Sequence, residues 1–445
     1  MPDMEYAIRQ QTYVHDMSPF GFLKGITGLA AYASRALVCP GTAVAGFANQ
    51  ESCHSLTANF DWLRHIGIGA DHLIVVPCEN LRSGLLQPNG ANFLPLISES
   101  IRNGRPLNFF LSRNMGTLVK ALGLTWDAVT TAQPEIAEFF DDKHYLRCLG
   151  AKLGVDKAFP AWEFVSSNFK NVKDSRKRVL GWARDNHLPT EHVFLKAHDT
   201  DGGAGLLRWG PETPEKDVSE FCHQYLPRGL IVDAGYPASA FEMSEYSVKI
   251  LVKENAWDLL YFSRQIIRRD AHAGNEVAIG EHVLPLALAE RVLAFLSPIC
   301  DEAVKRGYGS HLSRTMGFDF MVVHGKQGEH VLILECNART TAADYAMAVC
   351  VQAAQRFKGQ AAVVMENISV PAACHDELRD HYFRGRPWDG LSPGFLIGNA
   401  ACLVHGKATI FCIADNLSEA RRMREKLIPI NSDSQLRHST QPPAP

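Results

Sequence analysis

Three side chains at the end of one apolar run have the types and the spacing to do chemistry together. The segment HVLILECNART, residues 330–340, opens with Val331, Leu332, Ile333 and Leu334, apolar whichever way they face. Such a run predicts a strand buried on both sides. It then delivers a carboxylate, an amide and a guanidinium at alternate positions: Glu335, Asn337 and Arg339. Alternation in a strand puts all three on one face. Upstream, Asp319 interrupts the apolar run GFDFMVV, and polar HGKQGE separates the two runs as in a hairpin. Pairing the runs brings Asp319 beside Glu335 and Asn337. Two adjacent carboxylates repel unless a cation lies between them. Three hard oxygen ligands suit magnesium shared with substrate phosphates. Taken alone, the two segments fit equally well as separate surface charges at strand ends.

The complementary charge is on lysines. Lys196 closes the apolar run HVFLKA, and DTDGGAG follows at 199–205. A lysine supplies charge and glycines let backbone N–H groups close over oxygens, which together make a phosphate grip. This is not a Walker A loop, because the lysine precedes the glycines and no GKS or GKT occurs. A hairpin turn beside a snorkelling lysine accounts for the same residues. Lys143 stands at the start of DDKHYLRCLGAKLGV, which reads as a helix capped by Asp141 or Asp142 and stopped by Gly154. A lysine there is ordinarily just solvated. Arg268 and Arg269 end the strand-like YFSRQIIRR, where alternation turns one to solvent and leaves the other to grip a phosphate or carboxylate. Lys173, Arg176, Lys177 and Arg178 read as a face for an acidic substrate or as a solvated helix face.

In chain order the parts run Lys143, Lys196 with its glycine loop, Glu245 in SEYSVKILV, Asp319, then Glu335-x-Asn337-x-Arg339. This order resembles the ATP-grasp superfamily, whose members show a "DK" helix, a "K…GGxG" loop, an acid in an "ExxV" strand, a "G-x-D-F" strand and an "E-x-N-x-R" strand. The resemblance spans about Asp141 to Thr341. It implies that Lys143 and Lys196 contact ATP phosphates and that Gly202, Gly203 and Gly205 form a lid loop over them. It implies that Glu245 holds the ribose hydroxyls. Asp319, Glu335 and Asn337 would hold one or two magnesium ions, with manganese as a substitute, and Arg339 would face the reacting group. Arg268 is carried beside Arg339 as a catalytic candidate. The adenine would meet the hinge GLIVDAG, with Asp233 as the nearby acid and Glu242 as its rival, because YPASAFEM makes the hinge-to-Glu245 spacing long.

The opening RALVCPGTAVAG, the long first domain and the ending LSPGFLIGNAACLVHGKATIFC look like the flanks of the pheganomycin-type peptide ligases of antibiotic biosynthesis. That likeness implies an α/β fold with an N-terminal α/β pre-ATP-grasp domain at 1–135, an ATP-grasp domain at 136–360 with a lid at about 155–235, and a small C-terminal α+β domain at 361–435. The Pro-rich end, 436–445, reads as a disordered tail. The reaction implied activates a carboxylate as an acyl phosphate, which an amine attacks to form an amide with release of ADP and phosphate. The substrates would be a small, amino-acid-like carboxylate and an amine, the N-terminus of a short peptide. Each cation at contact distance is worth about 4 kcal/mol at an effective dielectric of ~20, so Lys143, Lys196, magnesium and Arg339 would supply the stabilising field. Arg339 is a poor proton acceptor, so no general base is assigned. A closing lid would keep water from the acyl phosphate. The alternatives are a dipeptide ligase for two free amino acids, a carboxylase, a kinase of the same fold, and a nucleotide-binding regulator without turnover.

Composition sets the bounds. A chain of 445 residues with 46% hydrophobic and 21% charged residues is expected to fold as two or three globular domains. A formal net charge of -3 argues against a general nucleic-acid binder. Eleven cysteines without CxxC or zinc spacing read as reduced thiols of a cytoplasmic protein. Neither a signal peptide nor a membrane span is expected. Dimerisation is common among such relatives. Strands HLIVVP and LNFFL, alternating with helical stretches, predict a largely parallel sheet in the first part. Phe395–Val404 and Ala408–Ile413 read as strands, and LSEARRMREKL as an amphipathic helix.

Overall fold

The computed structural model describes residues 9–16, 29–47, 49–78, 80–186, 188, 190–198, 205–236, 244–268, 271–325, 328–370, 375–382 and 386–427. The chain builds three sheets. The first holds β1 (Gln11–Val14), β2 (Gly41–Phe47), β3 (Ala70–Pro77) and β4 (Leu107–Phe109) in the order β3-β2-β1-β4. All its pairs are parallel, as the alternation of strands and helices predicts. The apolar run Arg35–Cys39 is not part of it. Its first four residues end a 3-10 helix, Leu29–Val38, and β2 starts at Gly41. Gly41 takes φ +119°, and a Cβ there would lie 2.2 Å from the Gln11 carbonyl oxygen. Only glycine lets β2 approach β1 at this point.

The second sheet holds β5 (Trp162–Val165), β6 (His192–Ala197), β7 (Leu206–Trp209) and β8 (Leu230–Gly235), antiparallel in the order β5-β8-β6-β7. Helix Phe169–Asp185 packs on it through Val172, Val179 and Ala183. The basic run of that helix is spent locally. Arg178 makes a two-bonded pair with Glu163 at 2.6 and 2.5 Å, and Lys173 pairs with Glu215.

The third sheet has eight antiparallel strands. They are β9 (Ser244–Val252), β10 (Trp257–Arg268), β11 (Ala271–Ile279), β12 (Arg314–Gly325), β13 (Gly328–Asn337), β14 (Ala361–Ser369), β15 (Gly394–Ile397) and β16 (Lys407–Ala414). Their order is β13-β12-β9-β10-β11-β14-β16-β15. One face lies under helix Leu286–Lys305 through Leu288, Val292, Leu296 and Ile299, and under helix Leu417–Leu427. Each such side chain buried contributes about 1.5–3 kcal/mol. The other face is covered by helix Ala342–Ala354 over β11 and β14, and meets the second sheet through Met321, Val323 and Leu332. Helix Ala342–Ala354 is buried nearly all round, and its small side chains allow that. A capping box between Thr341 and Asp344 starts it.

The strand expected over Phe395–Val404 is shorter. After Ile397 the chain turns, because the Asn399 side chain accepts the Thr409 N–H, and Ala400–His405 continues as a 3-10 helix. No described helix is long and apolar enough to cross a membrane.

Candidate active site

The hairpin read from the sequence forms. Strands β12 and β13 pair with Gly317 opposite Asn337 and Asp319 opposite Glu335, and a bulge follows Asp319. A bulge re-aims side chains at a strand end. The Asn337 Nδ2 donates to Asp319 Oδ2 at 2.9 Å, and Arg339 Nη1 donates to Asn337 Oδ1. The Ala338 N–H donates to the Asp141 carboxylate, which fixes the backbone between the amide and the guanidinium. Strand β9 lies on the far side of β12, with Ser247 opposite Asp319, Glu245 opposite Met321 and Lys249 opposite Gly317. Glu245 therefore shares the face of the acid pair.

Both lysines reach the same place. Asp142 caps helix Lys143–Lys152, accepting from the His144 and Tyr145 N–H groups at 2.8 and 2.9 Å. The Lys143 N–H donates to the His198 carbonyl at 3.1 Å, joining the helix start to the end of β6 just past Lys196. The Lys143 Nζ lies 3.1 Å from Glu335 Oε2. Burial disfavours the Glu335 charge, yet Lys143, Arg339 and Lys196 outweigh it and hold this carboxyl well below its usual range. Asp319 is pushed up instead, by burial and then by the Glu335 charge. Both carboxylates keep some exposure to water while burial is the first influence on each, as on the floor of a cleft.

Lys196 is tethered by Asp233, whose Oδ2 lies 2.8 Å from its Nζ and 2.5 Å from Arg147 Nη2. Asp233 and Arg147 are 1% and 0% exposed. The acid read as an adenine neighbour is thus committed through one oxygen to positioning a lysine, and its Oδ1 has no partner among the described residues. Gly205 lies in the turn before β7, and its carbonyl accepts the Ala197 N–H at 2.8 Å. Gly202, Gly203, Glu242 and Arg269 lie outside the described residues.

Arg268 is set apart from this group. It alternates with Arg264 and Ile266, and Ile266 packs with the core under helix Leu417–Leu427. Ser263, aligned through Ser247 with Asp319, faces the other way. Arg268 therefore projects from the opposite face of the sheet, where its Nε pairs with Glu366 at 2.5 Å. Glu366 also pairs with Arg424, and Glu276 with Arg421, each at 2.6 Å. The strand-end position suggested a gripping residue; the pleat points it away.

Sequence reasoning missed Lys249. It is 1% exposed, and its Nζ donates to the Arg339 carbonyl and to Asp344 Oδ2, both at 2.7 Å. Tyr261 Oη donates to the other Asp344 oxygen at 2.6 Å. A lysine inside the apolar run YSVKILV was the available signal. Arg147 was equally visible in DDKHYLR, but its acid lies 86 residues away.

Among the described residues no group of three or more His, Cys, Asp or Glu could hold a metal ion. The acid pair with Asn337 is a smaller donor set, of two carboxylates and an amide, and it suits a hard cation.

This architecture is an α/β fold of the ATP-grasp type. No protein-family model matches the sequence, and no curated protein matches it either. Solved structures do. The biotin carboxylase of Campylobacter jejuni, in complex with β-γ-ATP, is similar with a TM-score of 0.53 at 12% identity, over 96% of this chain and 92% of that one. The N5-carboxyaminoimidazole ribonucleotide synthetase of Thermus thermophilus gives 0.52 at 12% identity, over 95% and 99%. The N5-carboxyaminoimidazole synthetase of Staphylococcus aureus, complexed with ADP, gives 0.50 at 9% identity, over 94% and 97%. At these identities the likeness is one of fold.

Proposed function

We propose that the protein is an ATP-dependent carboxylate–amine ligase that joins a small carboxylate to the N-terminus of a peptide, working with magnesium in the cytoplasm. The observation that carries this reading is the convergence of Lys143, Lys196 and Arg339 on the Glu335 carboxylate beside Asp319 and Asn337. Three cations around two acids and an amide suit a polyphosphate and its metal better than a structural ion pair. The matched folds include proteins solved with ADP or an ATP analogue, which supports a nucleotide in this cleft.

In this reading Lys143 and Lys196 hold the phosphates, Glu245 the ribose, and Gly202, Gly203 and Gly205 close over the chain of phosphates. Asp233 holds Lys196 in place. Asp319, Glu335 and Asn337 would hold magnesium, which when bound neutralises phosphate charge. Arg339 steadies first the substrate carboxylate and then the oxyanion formed on amine attack. Lys249, bonded to the Arg339 carbonyl, fixes where that guanidinium stands. Arg268 is left out of the reaction, because it lies on the far face. The domain limits of 1–135, 136–360 and 361–435 remain part of this proposal.

The test is a screen of amino acids and short peptides with ATP and magnesium, reading ADP, phosphate and new amide masses. ADP release that requires both a carboxylate and an amine is expected. Glu335→Gln is expected to lower turnover at least a hundredfold with the fold intact. Near-normal turnover in that variant, or ATP consumption indifferent to the amine, removes the reading.

A further inference from the structure

The sheet face that bears Asp319 and Glu335 continues well beyond them. Register carries it through Ser263 on β10, opposite Ser247, and through Gln265 opposite Asn275 on β11. Asn275 stands opposite Met365 on β14, and Asn367 on the same face stands opposite Thr409 on β16. A register shift at Ile267 turns His272 to this face too, where its Nε2 meets Asn275 Nδ2 at 2.9 Å. Helix Ala342–Ala354 covers Val277, Val363 and Met365 of this face, and at its far end stand amides, an imidazole and a hydroxyl.

Arg35 enters over this far end from the 3-10 helix Leu29–Val38. Its Nη2 donates to Asn367 Oδ1 at 3.1 Å, and its Cζ stands 4.8 Å from the centre of the Tyr32 ring. Asn367 Oδ1 also accepts from Thr409 Oγ1 at 2.7 Å. Arg35 is 8% exposed, and its Nε has no acceptor among the described residues. Among the described residues its one hydrogen-bond partner is a neutral amide. A guanidinium so deep in protein is ordinarily matched by a carboxylate, because an uncompensated buried charge is costly. Lys407 lies two residues from Thr409, and both cations act on the Cys402 thiol, opposing the effect of burial. Burial holds His272 down at about 4, so its imidazole is neutral at physiological pH, while water still reaches it. Among the described residues the cluster is positive, partly wetted and short of an anion.

We propose that Arg35, with Asn367, Asn275 and His272 around it, is a second carboxylate site that holds the C-terminal carboxylate of the peptide substrate whose N-terminus attacks. The proposal rests on the ligase reading above for the identity of that substrate. Position separates this site from the reacting centre. From β12 to β14 the face crosses four strand spacings, about 19 Å at ~4.8 Å each. Reacting atoms must come within about 3–3.5 Å of one another, so the carboxylate bound at Arg35 is not the one activated. A free amino acid carries amine and carboxylate on one carbon and does not bridge this span. An extended peptide advances about 3.3 Å per residue, so five or six residues do. The planar guanidinium, one Nη of which is held only by a neutral amide, suits a carboxylate.

The experiment uses a random pentapeptide pool prepared once as free acids and once as C-terminal amides. Equilibrium dialysis against the whole protein, read by mass, measures retention. The acid pool is expected to be retained at least tenfold better than the amide pool. Arg35→Gln is expected to abolish that difference. Asn367→Asp, which places a carboxylate beside the guanidinium, is expected to do the same with Arg35 still present. Arg35→Lys should keep part of it. Melting curves establish that each variant is folded. Equal retention of acids and amides, undiminished preference in a folded Arg35→Gln or Asn367→Asp variant, or no retention of either pool overturns the proposal. The two readings fail separately. Arg35-dependent retention without any new amide mass in the presence of ATP, magnesium and carboxylates removes the ligase and leaves the subsite. Ligation that treats amidated and free-acid peptides alike removes the subsite and leaves the ligase.

Discussion

Replacing Asp233 by asparagine tests whether the buried triad with Arg147 and Lys196 holds the lysine-bearing sheet to the rest of the cleft. The carboxylate oxygen is 2.5 Å from one cation and 2.8 Å from the other. At an effective dielectric of about 20, each contact carries a gross attraction of roughly 6 kcal/mol, most of it offset by desolvation. Removing the acid leaves Arg147 buried without compensation, which costs about 3–5 kcal/mol. For a cooperative unit of about 200 residues that lowers the melting temperature by roughly 6–20 °C. Lys196→Met should cost much less, since Asp233 keeps Arg147 and the removed ammonium is the more exposed partner. The double variant Arg147→Met with Asp233→Leu replaces the pair by packed apolar groups and should recover most of the loss. Differential scanning calorimetry on the four proteins gives the order. A harmless Asp233→Asn, or a double variant as unstable as the single one, refutes the argument.

Other perturbations follow from the same geometry. Lys249→Met should lower kcat more than tenfold while leaving the ATP dissociation constant within a factor of about three, because the bond to the Arg339 carbonyl is lost but no phosphate contact is; equal loss of nucleotide binding contradicts that role. His15 is buried between Tyr345 Oη at 2.7 Å and Asn108 Oδ1 at 2.8 Å, and burial holds it at about 4 against an ordinary 6.5. Above pH 6.5 neither the folded nor the unfolded chain protonates it. Between 6.5 and 4 only the unfolded chain does, so stability should fall by up to about 3 kcal/mol across that window and level off below it. In His15→Gln this part of the pH dependence should vanish, and an unchanged slope of melting temperature against pH counts against it. Gly41→Ala should destabilise the first sheet by at least ~2 kcal/mol, since a positive φ and a backbone clash coincide; a melting temperature within a degree of the parent's shows that the chain can shift there at little cost.

The features legible in the sequence are those set by local periods. The acid–amide–arginine face follows from period two in a single strand, and its meeting with Asp319 from the polar break HGKQGE between two apolar runs. The lysine-bearing strand and the cap at Asp142 were readable for the same reason. Long-range pairings were not. Nothing near Asp233 announces that its charge is taken by Arg147 across β8 and a helix. Alternation told that Arg268 and Arg269 face opposite ways, but not which way the strand sits in its sheet. Strand β1 is four residues long and mixed in polarity, QTYV, so no pattern marks it. Helix Ala342–Ala354 carries small and apolar residues on every side, which hides the 3.6-residue period that an amphipathic helix displays.

The eight-stranded sheet has a bearing on how the chain can be recombined. Strand β14 completes the hydrogen bonding of β11 through six consecutive residue pairs, from Gly274–Glu366 to Ile279–Ala361. A truncation at residue 360 would strip that partner away and leave β11 as a raw border open to any passing strand. The part after residue 360 is therefore no detachable accessory for chimera building. Exchanges after residue 360 tear the eight-stranded sheet between β11 and β14.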